Sequence, residues 1–248
     1  MTVTPVKTHK ITTEDKDLLQ ILDRYITGLE ENSVVVIASK IIAITQGRVV
    51  KITEEELDRL IKEEADLYLP KEEHQYKLYI TLKNHRMTYS SGIDESNGNG
   101  YQVLWPEHVQ EDANSARAFL KKKFGLKHVG IIVTDMTVLP LRWGIIAGEL
   151  AYSGFLPVKH LVGTPDIFGR PFNYTNVGIL NGLAASAGVV MGEGAEQTPL
   201  GIISGIPFVE FVDQDPTKEE LDSLIIDPLQ DLYGPLFKHV KWRKGGGK

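Results

Sequence analysis

Two short apolar runs constrain the fold of this chain most. Residues 34–38 and 129–133 contain no polar side chain and are rich in β-branched residues. Such runs are typical of strands buried on both faces of a sheet. Segments with helical spacing of apolar residues surround them, but strands and helices do not alternate regularly, as they would in a doubly wound sheet. The sequence therefore predicts an α+β fold.

Capping and turn residues predict further elements. Thr53 and Glu56 form a capping-box pattern at the start of a helix that Pro70 would end. Asp215 before Pro216 predicts the N-cap of another helix. The expected helices are 13–29, 53–69, 111–124, 176–190 and 215–225, and the further strands are 76–81 with 86–90, as a hairpin, and 199–206.

Composition excludes several classes of protein. The 248-residue chain has no cysteine, so disulfides, thiol catalysis and thiolate-bound metals are excluded. A formal net charge of −6 argues against a nucleic-acid partner. The longest near-apolar run, 177–191, is too short to cross a bilayer, and residues 1–10 lack the apolar stretch of a signal peptide. We therefore expect a cytoplasmic protein with no membrane partner.

Three carboxylates stand out by their context. Asp135 follows an apolar strand, Asp94 lies in a loop rich in glycine and asparagine, and Glu193 lies between Gly192 and Gly194. Motifs of P-loop, dinucleotide-binding, serine-hydrolase and zinc-protease sites are absent from the sequence. Carboxylates without thiols or clustered histidines suit Mg²⁺ or Mn²⁺.

Each of these carboxylates also has a purely structural interpretation. Asp135 could cap a helix or form a turn, Asp94 could form an Asx-turn, and Glu193 could lie in a solvated turn. Four cations, each of which could equally be a surface residue, follow strands or glycines and could together complement phosphates or a carboxylate substrate: Lys40, Arg48, Arg142 and Arg170.

Short motifs in a fixed order resemble one enzyme family. They are Ser39-Lys40, Gln46-Gly47-Arg48, residues 92–97 (GIDESN), residues 131–135 (IIVTD), residues 166–170 (DIFGR) and residues 191–194 (MGEG). Together they resemble the coenzyme F420-0:L-glutamate ligase family over most of the chain. The resemblance implies a two-lobed α+β fold and a homodimer. We accordingly expect one domain of two intertwined lobes over 1–244, and a disordered tail over 245–248.

The resemblance also implies an activity. Members use a nucleoside triphosphate, GTP or ATP, and Mg²⁺ or Mn²⁺ to join L-glutamate to a carboxylated cofactor through an acyl phosphate. Carried onto this chain, the metal ligands are Asp94, Asp135 and Glu193. The nucleotide-binding residues are Ser39, Lys40, Asn97, Gly192 and Gly194, and the catalytic residues are Asp94, Asp135 and Arg142. Because phosphoryl transfer depends on positioning and charge neutralisation, a protein nucleophile is not required.

The chain departs from the family pattern at several positions. Ile44 replaces a lysine, Met136 replaces a threonine, and Asn181-Gly182 replaces an acidic pair. Residues 191–199 resemble a branch of the family that acts on folates, so the acceptor is F420-0 or tetrahydrofolate. Two alternatives are a metal-dependent nucleotide phosphohydrolase and a non-catalytic relative that binds nucleotide or folate, the latter suggested by Ile44.

Overall fold

The computed structural model describes residues 1–73 and 75–247, so that His74 and Lys248 lie outside the described residues. The strands are β1 (Thr2–Val6), β2 (Ser33–Ala38), β3 (Val49–Val50), β4 (Leu67–Leu69), β5 (Ile80–Lys83), β6 (Arg86–Tyr89), β7 (Gln102–Val103), β8 (Val129–Val138), β9 (Ile145–Ser153), β10 (Val158–His160), β11 (Asn176–Gly178), β12 (Leu200–Ser204) and β13 (Arg243–Lys244). The helices are α1 (Leu18–Tyr25), α2 (Ser39–Gln46), α3 (Glu54–Glu64), α4 (Val109–Phe124), α5 (Ile179–Met191), α6 (Lys218–Asp222) and α7 (Gly234–Phe237).

The chain divides into two compact units, each built from two segments. Unit 1 comprises Met1–Thr45 and His108–Asp215, and unit 2 comprises Gln46–Glu107 and Pro216–Lys248. Both units contain β-sheets and α-helices, which confirms the predicted α+β class. Among the described residues, no helix is long and apolar enough to cross a membrane.

Unit 1 is organised around a mixed sheet with the strand order β1-β12-β2-β8-β9. Only the central pair, β2 and β8, is parallel; the other three pairs are antiparallel. Val34 to Ile37 in β2 and Ile131 to Val133 in β8 have no exposed surface. Both faces of the sheet are therefore covered there, as the uninterrupted apolar runs predicted.

A buried arginine links the C-terminal end of unit 1 to its sheet through hydrogen bonds. Arg117 of α4 donates to the Val129 and Val212 carbonyls and to Asp215, which also accepts from the Ser153 hydroxyl. The prediction of Asp215 as an N-cap was therefore wrong. Thr217 caps α6 instead, with Glu220 completing a capping box.

Unit 2 contains an antiparallel sheet with the strand order β13-β4-β5-β6. The hairpin of β5 and β6 confirms the one predicted around Asn84 and His85, which both have positive φ. α3 packs its Ile61 into a cluster with Tyr79, Ile93 and Leu104. The predicted capping box at the start of α3 is present.

The glycine run after β13, which the sequence assigns to a disordered tail, makes backbone hydrogen bonds. Backbone N–H groups of Gly245, Gly246 and Gly247 donate to carbonyls in the 62–66 segment, at the C-terminal end of α3. A Cβ on Gly245 would lie 2.0 Å from the Ala65 carbonyl oxygen. Glycine is therefore needed here for close approach of two backbone segments. Lys248, the last residue of the predicted tail, lies outside the described residues.

Several helices are shorter than apolar spacing predicted. α1 begins after Asp17, whose side chain accepts from the Leu19 N–H, and ends before Ile26. α3 ends at Glu64 because residues 67–69 form β4. In the predicted helix 176–190, the first three residues instead form β11. In each case, pairing or capping of the backbone sets the boundary within a longer apolar pattern.

Candidate active site

Ser39 and Asp135 lie side by side at the ends of two parallel strands in unit 1. β2 and β8 pair in register up to Ala38 and Thr134, so the next residue of each reaches the same edge. Ser39 is buried, begins α2 and donates from its hydroxyl to Asp135 Oδ1 at 3.2 Å. Asp135 itself is half-buried. The sheet thus orients a carboxylate at the position where open sheets commonly bind ligands.

The strand that carries Asp135 does not end there, contrary to prediction. β8 continues to Val138 and pairs with β9 in a hairpin, in which Val138 lies opposite Ile145. A β-bulge between Val133 and Thr134 interrupts the pairing just before Asp135. Bulges alter the direction of neighbouring side chains and are frequent beside active sites.

The other face of β8 is covered by α5. Because side chains alternate along a strand, Thr134 and Met136 lie on the face opposite to Asp135. Met136 pairs with Ala147, and a Cβ on Gly188 of α5 would lie 2.5 Å from Ala147 Cβ. The face of the strand that carries Asp135 is therefore not the one against which α5 packs.

The second acidic residue of this hairpin was not predicted from the sequence. Glu149 of β9 lies opposite Thr134, and its carboxylate accepts from Asn181 Nδ2 of α5 at 2.9 Å. Asn181 occupies one of the positions where the family pattern has an acidic pair. No sequence signal pointed to Glu149, because β9 itself was not predicted.

The segment that carries Glu193 is a tight turn after α5. Gly192 has a φ of +76°, and its N–H donates to the Gly188 carbonyl. A Cβ on Gly192 would lie 2.7 Å from the Glu196 carboxyl carbon. The Thr198 hydroxyl donates to the Met191 carbonyl, and the Gln197 carbonyl accepts from the Thr8 N–H. Glu193 and Gly194 themselves are exposed on this anchored turn.

Asp94 lies in unit 2 and forms the Asx-turn that was one of its two interpretations. Its Oδ1 accepts from the Ser96 N–H at 2.9 Å, and its Oδ2 accepts from the Ser96 hydroxyl at 2.5 Å. Its backbone pairs in both directions with Val103. The turn therefore orients the Asp94 carboxylate.

The other predicted site residues are distributed over both units. Lys40 is half-buried in the first turn of α2, and Asn97 is exposed, with a φ of +56°, in the loop after Asp94. Arg142 is exposed at the tip of the β8–β9 hairpin, where its guanidinium donates to the Leu141 carbonyl. Unit 1 contains Ser39, Lys40, Asp135, Arg142 and residues 192–194. Unit 2 contains Asp94 and Asn97.

Arg48 takes part in a buried ion cluster of unit 2. Its guanidinium donates to both Glu64 oxygens at 3.0 Å, to the Trp105 carbonyl at 3.2 Å, and lies 3.1 Å from Glu107. Lys83 also contacts Glu64. Burial lowers the pKa of the Lys83 ammonium below its usual range, and Glu64 opposes part of that shift. Arg48 therefore has a structural role that the sequence did not reveal.

Arg170 follows a loop built by Asp166. The Asp166 carboxylate accepts from the Phe168 and Arg170 N–H groups. The aspartate of this motif therefore shapes the loop, and Arg170 is exposed at its end.

The donor chemistry of the predicted metal ligands fits Mg²⁺ or Mn²⁺. All three are carboxylates, with serine hydroxyls beside Asp94 and Asp135, and hard oxygen donors are those that these ions prefer. Over residues 1–73 and 75–247, no group of three or more histidine, aspartate or glutamate side chains is gathered as a metal site. That Asp94, Asp135 and Glu193 bind metal together stays a prediction.

Comparison with known proteins identifies the family. The F420-0:Gamma-glutamyl ligase family matches residues 5–205, most of the chain. The chain belongs to this family. All the predicted site residues lie within the matched range. The recognition made from short ordered motifs is therefore confirmed.

Curated relatives carry the name coenzyme F420:L-glutamate ligase. One from Methanococcus maripaludis strain C6 is 31% identical over 211 residues, covering 78% of this chain and 83% of the relative. One from Methanocaldococcus jannaschii is 39% identical over 122 residues, covering 48% of each. A third, from Methanosarcina barkeri, is 31% identical over 155 residues, covering 60% of each. The chain thus spans about half the length of the Methanocaldococcus relative.

Two departures from the F420-0:Gamma-glutamyl ligase pattern have a packing explanation. Ile44, at the lysine position, is buried in α2. Met136, at the threonine position, extends toward α5: its Cε lies 3.3 Å from the point that a Cβ on Gly188 would occupy. Both side chains contribute to the apolar interior of unit 1.

Proposed function

We propose that this protein is a nucleoside-triphosphate-dependent ligase that forms an amide bond between L-glutamate and a carboxylated cofactor. One observation carries the proposal: the family match covers 5–205 and includes every residue assigned to the site. The names of the relatives support glutamate and F420-0 as substrates. Tetrahydrofolate is the alternative acceptor, because residues 191–199 resemble the folate-directed branch.

The proposed reaction has two steps. An oxygen of the acceptor carboxylate attacks the γ-phosphorus of GTP or ATP, which gives an acyl phosphate and the nucleoside diphosphate. The amine of L-glutamate then attacks the acyl carbon, inorganic phosphate leaves, and the amine loses a proton. Because a carboxylate is a poor electrophile, the first step is needed to create a leaving group.

The residues of the chain supply positioning and charge. The proposed ligands of the divalent metal are Asp94, Asp135 and Glu193. When bound, Mg²⁺ or Mn²⁺ would neutralise phosphate charge. Ser39 holds Asp135 in orientation through its hydroxyl, and Ser96 holds Asp94.

The nucleotide is assigned to main-chain groups and short polar side chains. The proposed nucleotide contacts are Ser39, Lys40, Asn97, Gly192 and Gly194. The absence of a side chain at Gly192 and Gly194 lets a ligand approach the backbone. Arg142 is proposed to bind an anionic group of the substrates, for which its planar guanidinium is suited.

We also propose that the protein forms a homodimer. Large apolar side chains are exposed at two protrusions of unit 1: Leu141 and Trp143 at the hairpin tip, and Ile167, Phe168 and Tyr174 in the loop between β10 and β11. Clustered exposed apolar residues of this size are typical of protein interfaces. A second copy of the chain is the expected partner.

A direct assay tests the activity. The protein is incubated with L-glutamate, Mg²⁺ or Mn²⁺, GTP or ATP, and either F420-0 or tetrahydrofolate, and the acceptor is analysed by mass spectrometry. We expect one acceptor to gain a glutamyl residue. Phosphate release at full rate without glutamate would instead indicate a phosphohydrolase. Tight binding of nucleotide or folate without turnover would indicate a non-catalytic relative.

A further inference from the structure

The segment before Asp94 contains an unusual left-handed turn. Ser90, Ser91 and Gly92 have φ values of +48°, +56° and +72°. L-residues other than glycine, asparagine and aspartate rarely adopt this conformation, and two consecutive serines in it are exceptional. Non-glycine residues held in this region cluster at functional sites and persist only where surrounding contacts enforce them.

Three contacts within unit 2 enforce the turn. Ser91, which has no exposed surface, donates from its hydroxyl to the Ile61 carbonyl of α3 at 2.7 Å and from its N–H to Thr81 Oγ1 at 3.0 Å. Gly92 lies against Trp105, since a Cβ there would be 2.1 Å from the indole nitrogen. A helix, a strand and a tryptophan therefore hold Ser91 and Gly92.

The turn leads directly to Asp94 through the buried Ile93. The Ile93 N–H donates back to the Ser90 carbonyl, and the backbone of Asp94 then pairs with Val103. The position of the Asp94 carboxylate is thus fixed on its N-terminal side by the turn and on its C-terminal side by Ser96. A helix or a regular strand through 90–92 would send the chain in another direction.

We propose that Ser91 and Thr81 are positioning residues, which hold the left-handed turn of Ser90–Gly92 so that Asp94 is oriented for metal binding. The inference rests on the proposed role of Asp94 as a metal ligand. Thr81 and Ser91 have no exposed surface. Both act through the backbone that joins them to Asp94, and neither position was predicted to be part of the site.

The test compares Thr81→Val with Thr81→Ser, measured by Mn²⁺ titration in a calorimeter and by hydrogen exchange of residues 90–96 in the full chain. Valine has the shape of threonine but removes the acceptor of the Ser91 N–H, together with the donor to the Thr88 carbonyl, whereas serine keeps both bonds. We expect Thr81→Val to weaken Mn²⁺ binding about tenfold, the factor that corresponds to about 1.4 kcal/mol, and to accelerate exchange. Thr81→Ser is expected to remain within about twofold of the original protein, with the same exchange.

Two further variants keep the result interpretable. Ser91→Ala removes the bond to Ile61 independently and is expected to behave as Thr81→Val does, which provides a second test if Thr81→Val does not fold. Asp94→Asn tests the proposed function itself. If Asp94→Asn binds Mn²⁺ as tightly as the original protein, Asp94 is not a ligand and the proposed function fails. If Asp94→Asn loses binding while Thr81→Val and Ser91→Ala keep it, only the positioning role is overturned.

In the activity assay, a positioning role predicts a raised KM for the metal with kcat almost unchanged at saturating metal. Loss of folded protein alone would lower kcat and leave the KM for the metal as it was.

Discussion

Ser39 Oγ donates to Asp135 Oδ1 over 3.2 Å, although the two residues are separated by 96 positions in the sequence. The parallel pairing of β2 and β8 brings them together, since each residue directly follows the last position at which these two strands pair with each other. The register between β2 and β8 therefore places the two polar residues of the candidate site in unit 1 next to each other.

This contact predicts a graded effect of two substitutions on catalysis. Asp135→Asn removes a ligand charge and is expected to lower the rate of glutamyl transfer by a factor on the order of 10²–10³. Ser39→Ala keeps the Asp135 carboxylate but removes the hydroxyl that orients it and that is proposed to contact the nucleotide, and is expected to cost about tenfold. Ser39→Thr keeps a hydroxyl and serves as the control. Near-normal turnover of Asp135→Asn in initial-rate measurements would contradict the assigned role.

The sequence predicted the two strands that precede Ser39 and Asp135 better than the elements around them. Apolar runs identified β2 and β8 because both are buried on two faces, and the polar residues after them were therefore noticed. The continuation of β8 past Asp135 was missed because its apolar run ends at Val133. The whole of β9 was missed because residues 145–153 have no regular alternation of polar and apolar residues. Glu149 was missed with them. Long-range pairing, rather than local pattern, determines these features.

A second prediction concerns Arg48, which the sequence placed among cations for substrate binding. Because Glu64 is only 3% exposed, Arg48→Met removes one of the two cations that neutralise a buried carboxylate. We expect a loss of about 3 kcal/mol in the free energy of unfolding, measured with urea. The exposed Arg170→Met is the control and should change that free energy by less than about 0.5 kcal/mol.

A raised KM for nucleotide in Arg48→Met, with the free energy of unfolding unchanged, would instead show that Arg48 binds substrate.

A third prediction concerns the glycine run after β13. Deleting residues 243–248 removes the pairing of β13 with β4 and three hydrogen bonds to the 62–66 segment. We expect a loss of about 3 kcal/mol, at about 1 kcal/mol for each hydrogen bond, with faster hydrogen exchange at the end of α3. Gly246→Ala should also destabilise, because its Cβ would lie 2.4 Å from the Glu63 carbonyl oxygen.

Gly28→Ala is the matched control for this experiment, because nothing lies within 4 Å of the added Cβ. Equal stability and exchange in the truncated and complete chains would mean that the glycine run does not support α3.

Acid sensitivity gives a fourth prediction. Lys121, with a smaller contribution from Arg117, holds the pKa of the Asp213 carboxyl below its ordinary value of 3.8. A carboxyl with a lowered folded-state pKa stabilises the fold above its ordinary pKa, and this contribution is lost as the pH falls through the lowered value. Asp213→Asn should therefore be less stable than the original protein at pH 7, and the difference should disappear in strong acid.

Lys121→Met is expected to remove most of the same pH dependence, since Lys121 is its main cause. Urea unfolding at a series of pH values measures both variants. A stability difference that is the same at every pH would contradict the ion pair as its source.

The proposed dimer gives a fifth prediction. The side chains of Leu141 and Trp143 are 94% and 95% exposed in the single chain. If Trp143 becomes buried between two copies, Trp143→Ser should weaken the dimer by about 30-fold or more, which corresponds to roughly 2 kcal/mol of apolar burial. Sedimentation equilibrium measures this change. Leu232→Ser, an equally apolar and exposed position in unit 2, should leave the association unchanged.

Local sequence patterns are also insufficient where the same residue type can have different structural roles. Glycine permits flexibility in an unrestrained chain, but at 245–247 it permits close packing against α3. Similarly, Asp215 carries the signal of a helix cap, but the distant Arg117 and Ser153 bind it. Which purpose applies depends on neighbours that are remote in sequence.

The parallel ladder of β2 and β8 has a consequence for refolding. Residues 46–107, which make up most of unit 2, lie between the two strands. The ladder can therefore close only after a long intervening segment has been brought into a loop, which slows folding. A misalignment of these strands by a single residue would invert the faces of β8 and turn Asp135 toward α5. Recovery of activity after denaturation would then report on correct strand alignment more sensitively than recovery of secondary structure.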